Sequence, residues 1–225
     1  VESAWQTLDR QRRFEVIVYP RYAGTDMNFL DRRDADSAWA LVFADDAAAI
    51  YVRREPRFAA LIASHGYALL PGGAARLTSV QPAAARDTLV RRALAGDLAR
   101  SAAESRASGR ARFLLGSIAA LEGRLEDARN EFRRALAADP DTRRAHEGLG
   151  AIAAASGDYA RAIAEYQAEA RIDGWPPGVR VRLGAAYAAR GEWKRARRAY
   201  RDEMRGDPGN SEARDSLAAL GARGQ

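Results

Sequence analysis

His65 and His146, the adjacent pair Asp45-Asp46, aromatic residues on a helical period and an arginine run near the C-terminus are the positions in this 225-residue chain whose side chains suit chemistry. Metal binding needs convergent ligands, and the two histidines lack an H-x-x-x-H spacing, so packing or surface roles are expected for both. Paired carboxylates do acid–base work when they converge. Neighbours on a hairpin point apart, and two aspartates between extended runs supply turn chemistry instead. Trp193 and the tyrosines are candidates for stacking on a ligand, but at helical spacing they read as core. The chain has no G-x-x-x-x-G-K-S/T phosphate loop and no G-x-S-x-G elbow. With no cysteine, thiolate catalysis, disulfides and Cys-based zinc sites are excluded. The expectation is therefore no catalytic residue, no metal ligand and no cofactor: a chain that is not itself an enzyme.

Charge gives one positive signal. Net charge is +6, yet residues 1–80 hold ten Arg against ten acidic residues, so the excess lies in the remainder. There "WKRARRAYRDEMR" places Lys194, Arg197, Arg198, Arg201 and Arg205 on one helical stripe. A solvated face is the default reading. The alternative is an anionic partner such as lipid headgroups or an acidic polymer, with nucleic acid the weakest of these.

The elements that carry these residues form an internal repeat. Leu-Gly recurs at 115–116, 149–150 and 183–184. Gly123, Gly157 and Gly191 keep the same 34-residue period, as do Ala128, Ala162 and Ala196, and Phe132, Tyr166 and Tyr200. The first glycine of each unit permits close helix approach and the second a tight turn between antiparallel helices. The alanine and aromatic fill the space between helices, and Pro140 and Pro208 close units one and three. Over residues 109–210 this pattern resembles the tetratricopeptide repeat. Departures are "DGWPPG" at the end of unit two, where Gly174 replaces the expected proline, and Glu169 and Glu203 at the small-residue position of Ala135. The junction between units two and three is accordingly expected to be distorted. Residues 211–225 read as a capping helix, and 71–108 as a helical linker with a degenerate repeat, helix–glycine–helix around Gly96.

The resemblance implies that the first helix of each unit lines a concave groove. Its inward positions map to Arg110, Phe113, Ser117 and Leu121, then Arg144, Glu147 and Ala151, then Val181, Ala185 and Ala188. The groove lacks the Lys/Asn set with which chaperone-tail-binding relatives hold a terminal carboxylate. An apolar anchor beside an acidic residue suits Phe113, Arg110 and Arg144 better.

Residues 1–70 read as a small α/β unit with about three strands and helices on one face. "FEVIVYP" ends at Pro20, "WALVFA" alternates Trp39, Leu41 and Phe43 against Ala40, Val42 and Ala44, and "AIYVRR" pairs with it across Asp45-Asp46. Val16–Pro20, Trp39, Leu41-Val42, Asp45-Asp46, Ala48 and Tyr51-Val52-Arg53 together are similar to the soluble region after the last membrane span of bacterial polytopic glycosyltransferases that use lipid-linked sugars. In that family the catalytic carboxylates lie in membrane-proximal loops with no counterpart here. The resemblance implies the extracytoplasmic face of a bacterial inner membrane; without it the compartment is cytoplasmic or periplasmic. No apolar run here approaches the roughly eighteen residues of a membrane span. The chain as given reads as soluble. It starts at Val1, as a piece cut from a longer polypeptide would, so a membrane enters only through segments upstream.

The expected fold class is α+β, a small α/β unit followed by an all-α right-handed solenoid. The expected function is a scaffold holding a protein or peptide partner in the concave groove; the alternative is the tail of a membrane glycosyltransferase.

Overall fold

Strand-forming stretches come first along the chain. The computed structural model describes residues 2–21 and 26–222. Helix α1 (Glu2–Arg12) leads into β1 (Val16–Pro20), then α2 (Met27–Ala35), β2 (Trp39–Ala44), β3 (Ala48–Arg53) and, after a 3-10 turn at Pro56–Phe58, α3 (Ala59–His65). The strands form an antiparallel sheet of order β1-β3-β2, with Val16 opposite Val52 and Leu41 opposite Tyr51. The β2–β3 hairpin turns at Asp45, whose Oδ1 accepts the N–H groups of Ala47 (2.8 Å) and Ala48 (2.7 Å). That is the turn chemistry expected of an aspartate there.

Two details depart from the sequence reading. Helices cover both faces of the sheet, not one: Trp5 and Phe29 from α1 and α2 pack with Trp39, Leu41 and Tyr51, while Phe58 and Ile62 cover Ala40, Val42 and Val52. The alternation in β2 also breaks. Register slips between Leu41 and Phe43, so Ala44, rather than Phe43, joins Trp39 and Leu41 in their cluster. One extra residue in a strand sends each later side chain to the other face.

Helices α4 (Ala75–Arg86) and α5 (Thr88–Glu104) follow, separated at Asp87, whose Oδ1 caps α5 through the N–H of Leu89 at 2.7 Å. Gly96 lies inside α5 and makes no turn. The helix–glycine–helix reading of this stretch is thus corrected: the pair is α4 and α5, and its break is the capping aspartate.

Three antiparallel pairs come next: α6 (Gly109–Leu121) with α7 (Leu125–Ala138), α8 (Ala145–Ala155) with α9 (Tyr159–Asp173), and α10 (Val179–Ala189) with α11 (Trp193–Gly206). Helix α12 (Ser211–Ala222) closes the array, with Ala213 and Leu220 buried in the same cluster as Tyr200. Residues 223–225 of the expected capping helix lie outside the described residues. The turn glycines adopt left-handed backbone, φ +75° at Gly123, +80° at Gly157 and +75° at Gly191. A side chain at Gly116, Gly150 or Gly184 would meet the ring of Phe132, Tyr166 or Tyr200 at 2.6–2.7 Å, and all three rings are buried. The Trp193 side chain, read as core, is instead 42% exposed at the first turn of α11.

The expected distortion after unit two stays local. Gly174 takes φ +66° behind an α9 one residue longer than α7, yet α10 starts 34 residues after α8. Glu169 and Glu203 are not defects. The fully buried Glu169 carboxylate accepts the N–H of Arg144 (2.6 Å) and Glu147 (3.2 Å) at the start of α8, and Glu203 accepts that of Gly178 (3.2 Å) before α10. Helix N-termini leave N–H groups unpaired, and carboxylates satisfy them while meeting the positive end of the helix dipole. Unit one has Ala135 at this position, and its cap comes from elsewhere: Asp46 Oδ2, on the hairpin turn, accepts the N–H of Arg110 at 3.1 Å. Likewise Asp31 of α2 accepts the N–H of Ala75 at the start of α4, at 2.8 Å.

Candidate functional site

The hairpin turn is fastened to the array by several bonds. Ser101 Oγ donates to the Ala44 carbonyl (2.6 Å), Ser105 Oγ to Asp45 Oδ2 (2.7 Å), and the Asp46 N–H to the Ala107 carbonyl (2.8 Å). This fixes the α/β unit against α5 and α6. Between them opens a groove of about 790 Å³. Its apolar surface comes from Met27, Leu77, Phe113 and Leu114, and arginines Arg110, Arg143 and Arg144 line it beside Asp46, Asp139 and Asp141.

Electrostatics around Arg21 and Asp46 follow from burial. Arg21 donates from Nη1 to the Asp45 carbonyl at 2.6 Å, and desolvation, helped by the neighbouring charge of Arg110, lowers its pKa. Desolvation raises the Asp46 carboxyl; its hydrogen bond from the Arg110 N–H and the charges of Arg21 and Arg110 oppose that shift. The groove thus combines forked N–H donors with apolar walls, a pattern that orients a ligand through a few polar contacts.

Of the groove positions read from sequence, Arg110, Phe113 and Arg144 line this cavity, whereas Ser117, Leu121, Glu147 and Ala151 do not. Ser117 Oγ is turned back to the Phe113 carbonyl (2.9 Å), Leu121 is exposed at the far end of α6, and Ala151 is exposed on α8. Glu147 is buried, holding Arg144 Nε at 2.8 Å and the Arg182 guanidinium. In unit three Ala185 is exposed and Ala188 half-buried, but Val181 is buried, so its expected place in the groove is corrected: Arg182, one position on, is the exposed residue. Sequence reasoning missed Arg21, Met27, Leu77, Thr78 and Gln81. All of them precede residue 109, ahead of the 34-residue period, so no periodic signal marks them.

The remaining candidates have bonded partners. His65 Nδ1 lies 2.7 Å from Ser64 Oγ, and His146 Nδ1 2.7 Å from Glu165 Oε2. Among the described residues, no group of three His, Cys, Asp or Glu could hold a metal ion, and no helix is long and apolar enough to cross a membrane. On the arginine stripe, Lys194, Arg198, Arg201 and Arg205 are exposed and Arg197 is half-buried. Asp202 pairs with Arg205 at 2.9 Å and with Arg198 at 3.7 Å.

Residues 73–141 and, overlapping them, 122–178 match the family model described as tetratricopeptide repeat. Solved structures similar to the chain include the MamA RS-1 ArsTM double mutant, at 19% identity over 65% of this chain and 83% of that one, with a TM-score of 0.55. YrrB, a TPR protein with an unusual peptide-binding site, matches at 17% identity over 57% of this chain and 66% of its own, with a TM-score of 0.54. The TPR domain of Arabidopsis OM64 matches at 16% over 52% and 98%, with a TM-score of 0.50. At such identities the likeness establishes the fold. No curated protein matches. The family match begins after the α/β unit and ends before the third pair, α10–α11, whose geometry nonetheless repeats that of the first two.

Proposed function

We propose that the tetratricopeptide repeats of this chain form a non-catalytic scaffold that holds an extended segment of a partner protein in the groove between α4, α6 and the loop that joins α7 to α8. The carrying observation is the groove itself: an apolar surface of Leu77, Phe113 and Leu114 beside the guanidinium groups of Arg110, Arg143 and Arg144. One apolar side chain anchors on Phe113, and a neighbouring carboxylate meets Arg110 and Arg144. YrrB, with the same fold, is a TPR protein with an unusual peptide-binding site, which supports the reading.

The test is to pan a random peptide library on the immobilised chain and measure the enriched peptides against two variants. Gln81→Trp fills the groove from an exposed position, and Arg110→Ala removes a donor while leaving its N–H bond to Asp46 in place. Each is expected to weaken binding about tenfold without moving the melting curve. Enriched peptides that bind both variants as tightly as the parent would refute the groove as the site. Arg144→Glu is a poorer probe, because it would set a carboxylate against buried Glu147 and Glu169.

A second reading draws on the α/β unit, in which a strand ending at Pro20, helix α2 and a hairpin turning at Asp45-Asp46 follow one another as the glycosyltransferase resemblance implies. Under it the chain is the extracytoplasmic tail of a membrane glycosyltransferase whose active site lies elsewhere, and the repeats orient an acceptor. Several apolar spans encoded directly upstream of Val1 would favour this reading; a different kind of upstream sequence would count against it.

A further inference from the structure

We propose that a second cleft, walled by α9, α10 and α11, is a docking surface for an acidic peptide segment. It measures about 680 Å³ and shares no lining residue with the groove. The loop that breaks the repeat consensus separates the two: Pro176 and Pro177 line the groove, and Trp175 lines the cleft.

Four arginines, Arg180, Arg195, Arg198 and Arg205, line the cleft against a single lining carboxylate, Asp202, which pairs with Arg198 and Arg205. Arg180 lies over the Trp175 ring, 5.1 Å from its centroid, and Arg195 over the Tyr187 ring at 5.7 Å. Stacking on Trp175 for Arg180, and stacking on Tyr187 together with a bond from Nη1 to Glu192 Oε2 (2.7 Å) for Arg195, hold these two guanidiniums in place before any partner arrives, so less side-chain entropy is lost on binding. Leu183 and Ala199 give the cleft apolar surface. Of the arginine stripe, only Arg198 and Arg205 enter the cleft; Arg180 and Arg195 come from off the stripe.

Charge complementarity calls for an anion, and the aromatic geometry selects its class. Tyr187 is buried with its hydroxyl accepting a hydrogen bond from Gln167 Nε2 (3.0 Å), and Trp175 already carries Arg180 on its ring. Nucleic-acid channels stack bases on bare rings; here the two rings are engaged, and what is presented is forked N–H donors beside a small apolar surface. Carboxylates of a peptide chain, spaced around an apolar residue, fit that surface. Asp202 acts as an internal placeholder, occupying Arg205 and Arg198 in the absence of a partner.

The cleft is not a by-product of the repeat. One period earlier, Arg195 and Arg205 have counterparts in Arg161 and Arg171, but the positions of Trp175, Arg180 and Arg198 hold Asp141, His146 and Ala164. The arrangement belongs to the third unit.

The experiment titrates the full chain into a fluorescein-labelled peptide of glutamates around a central leucine and reads anisotropy. Arg180→Glu and Arg198→Glu should each weaken binding about tenfold, and added salt should weaken it steeply. Asp202→Asn should strengthen it severalfold by releasing Arg198 and Arg205. The Arg198 side chain is 84% exposed, so folding is not at stake in that variant. Gln81→Trp, in the groove, should leave the titration unchanged, which separates this surface from the groove. The proposal is overturned if the parent chain does not bind the peptide, if neither arginine variant weakens it, or if Asp202→Asn weakens it. It is equally overturned if single-stranded DNA or inorganic phosphate displaces the peptide at lower concentration than unlabelled peptide does.

Discussion

Gly150→Ala tests whether close helix approach, rather than backbone freedom, holds glycine at the first repeat position. A Cβ at residue 150 would lie 2.6, 2.8 and 3.1 Å from Cε1, Cδ1 and Cζ of Tyr166. Carbon atoms rest at about 3.5–4.0 Å, so the ring would have to withdraw by about 1 Å. It has no room to do so, because the ring is 2% exposed in a cluster with Ala153, Ala162 and Tyr187. Overpacking of this kind costs about 1–3 kcal/mol. Alanine in place of glycine within a helix offsets about 1 kcal/mol of that, leaving a net loss of about 1 kcal/mol. Gly96 is the matched control: it is also inside a helix, but a Cβ there meets nothing within 4 Å. Gly96→Ala should therefore stabilise by up to about 1 kcal/mol from propensity alone. For a chain of this size 1 kcal/mol moves the melting midpoint by about 2–4 °C, so far-UV circular dichroism should find the two variants on opposite sides of the parent. A Gly150→Ala midpoint at or above the parent's, or a Gly96→Ala midpoint below it, would refute the packing argument. Gly150→Leu should lose more than Gly150→Ala.

Glu169→Ala should destabilise by about 2 kcal/mol, since it strips the cap from the Arg144 and Glu147 N–H groups and leaves them buried or half-buried without that acceptor; an unchanged urea midpoint would contradict the capping role. Burial pushes the Tyr166 phenol up to about 12. An unfolded tyrosine ionises near pH 10, so the folded state keeps a proton the unfolded state has lost, and stability is full below about pH 10 and declines towards about pH 12 by about 3 kcal/mol. The phenols of Tyr51, Tyr67 and Tyr200 shift the same way, so the reading is a difference: Tyr166→Phe should flatten the alkaline fall in urea stability, and equal slopes for variant and parent would count against it.

The repeat is legible in the sequence because its packing is local and periodic. Gly116 and Phe132, or Gly150 and Tyr166, are 16 residues apart in every unit, and each pair needs nothing from the rest of the chain to declare itself. The hairpin is legible for the same reason, from alternation around two aspartates. What escapes depends on distant partners. The second cover of the sheet needs Ile62 to return over Val42, and the slip after Leu41 has no residue signature. Gly96 carries no mark to distinguish a helix interior from a turn. Val181 rather than Arg182 is assigned to the groove because helical faces are a third of a turn wide and the sequence offers no zero point. Most of all, Glu169 and Glu203 look like faults in the repeat, since the N–H groups they cap lie about 25 residues earlier in the chain.

Those caps decide which parts of the chain are portable. Units two and three each carry, on their own second helix, the carboxylate that starts their first helix, so each brings its own cap, although its core is shared with its neighbours. Unit one does not, because its acceptor is Asp46, 64 residues upstream of the N–H it satisfies. Helix α4 likewise depends on Asp31. A fragment begun at residue 71 or at residue 109 would lose the carboxylate that accepts at its first helix start, whereas a unit added or removed from residue 144 onward takes its cap with it. The hairpin in front of the helices is, in this sense, the anchored end of the capping scheme, the place where a start carboxylate has to be supplied from outside the repeat.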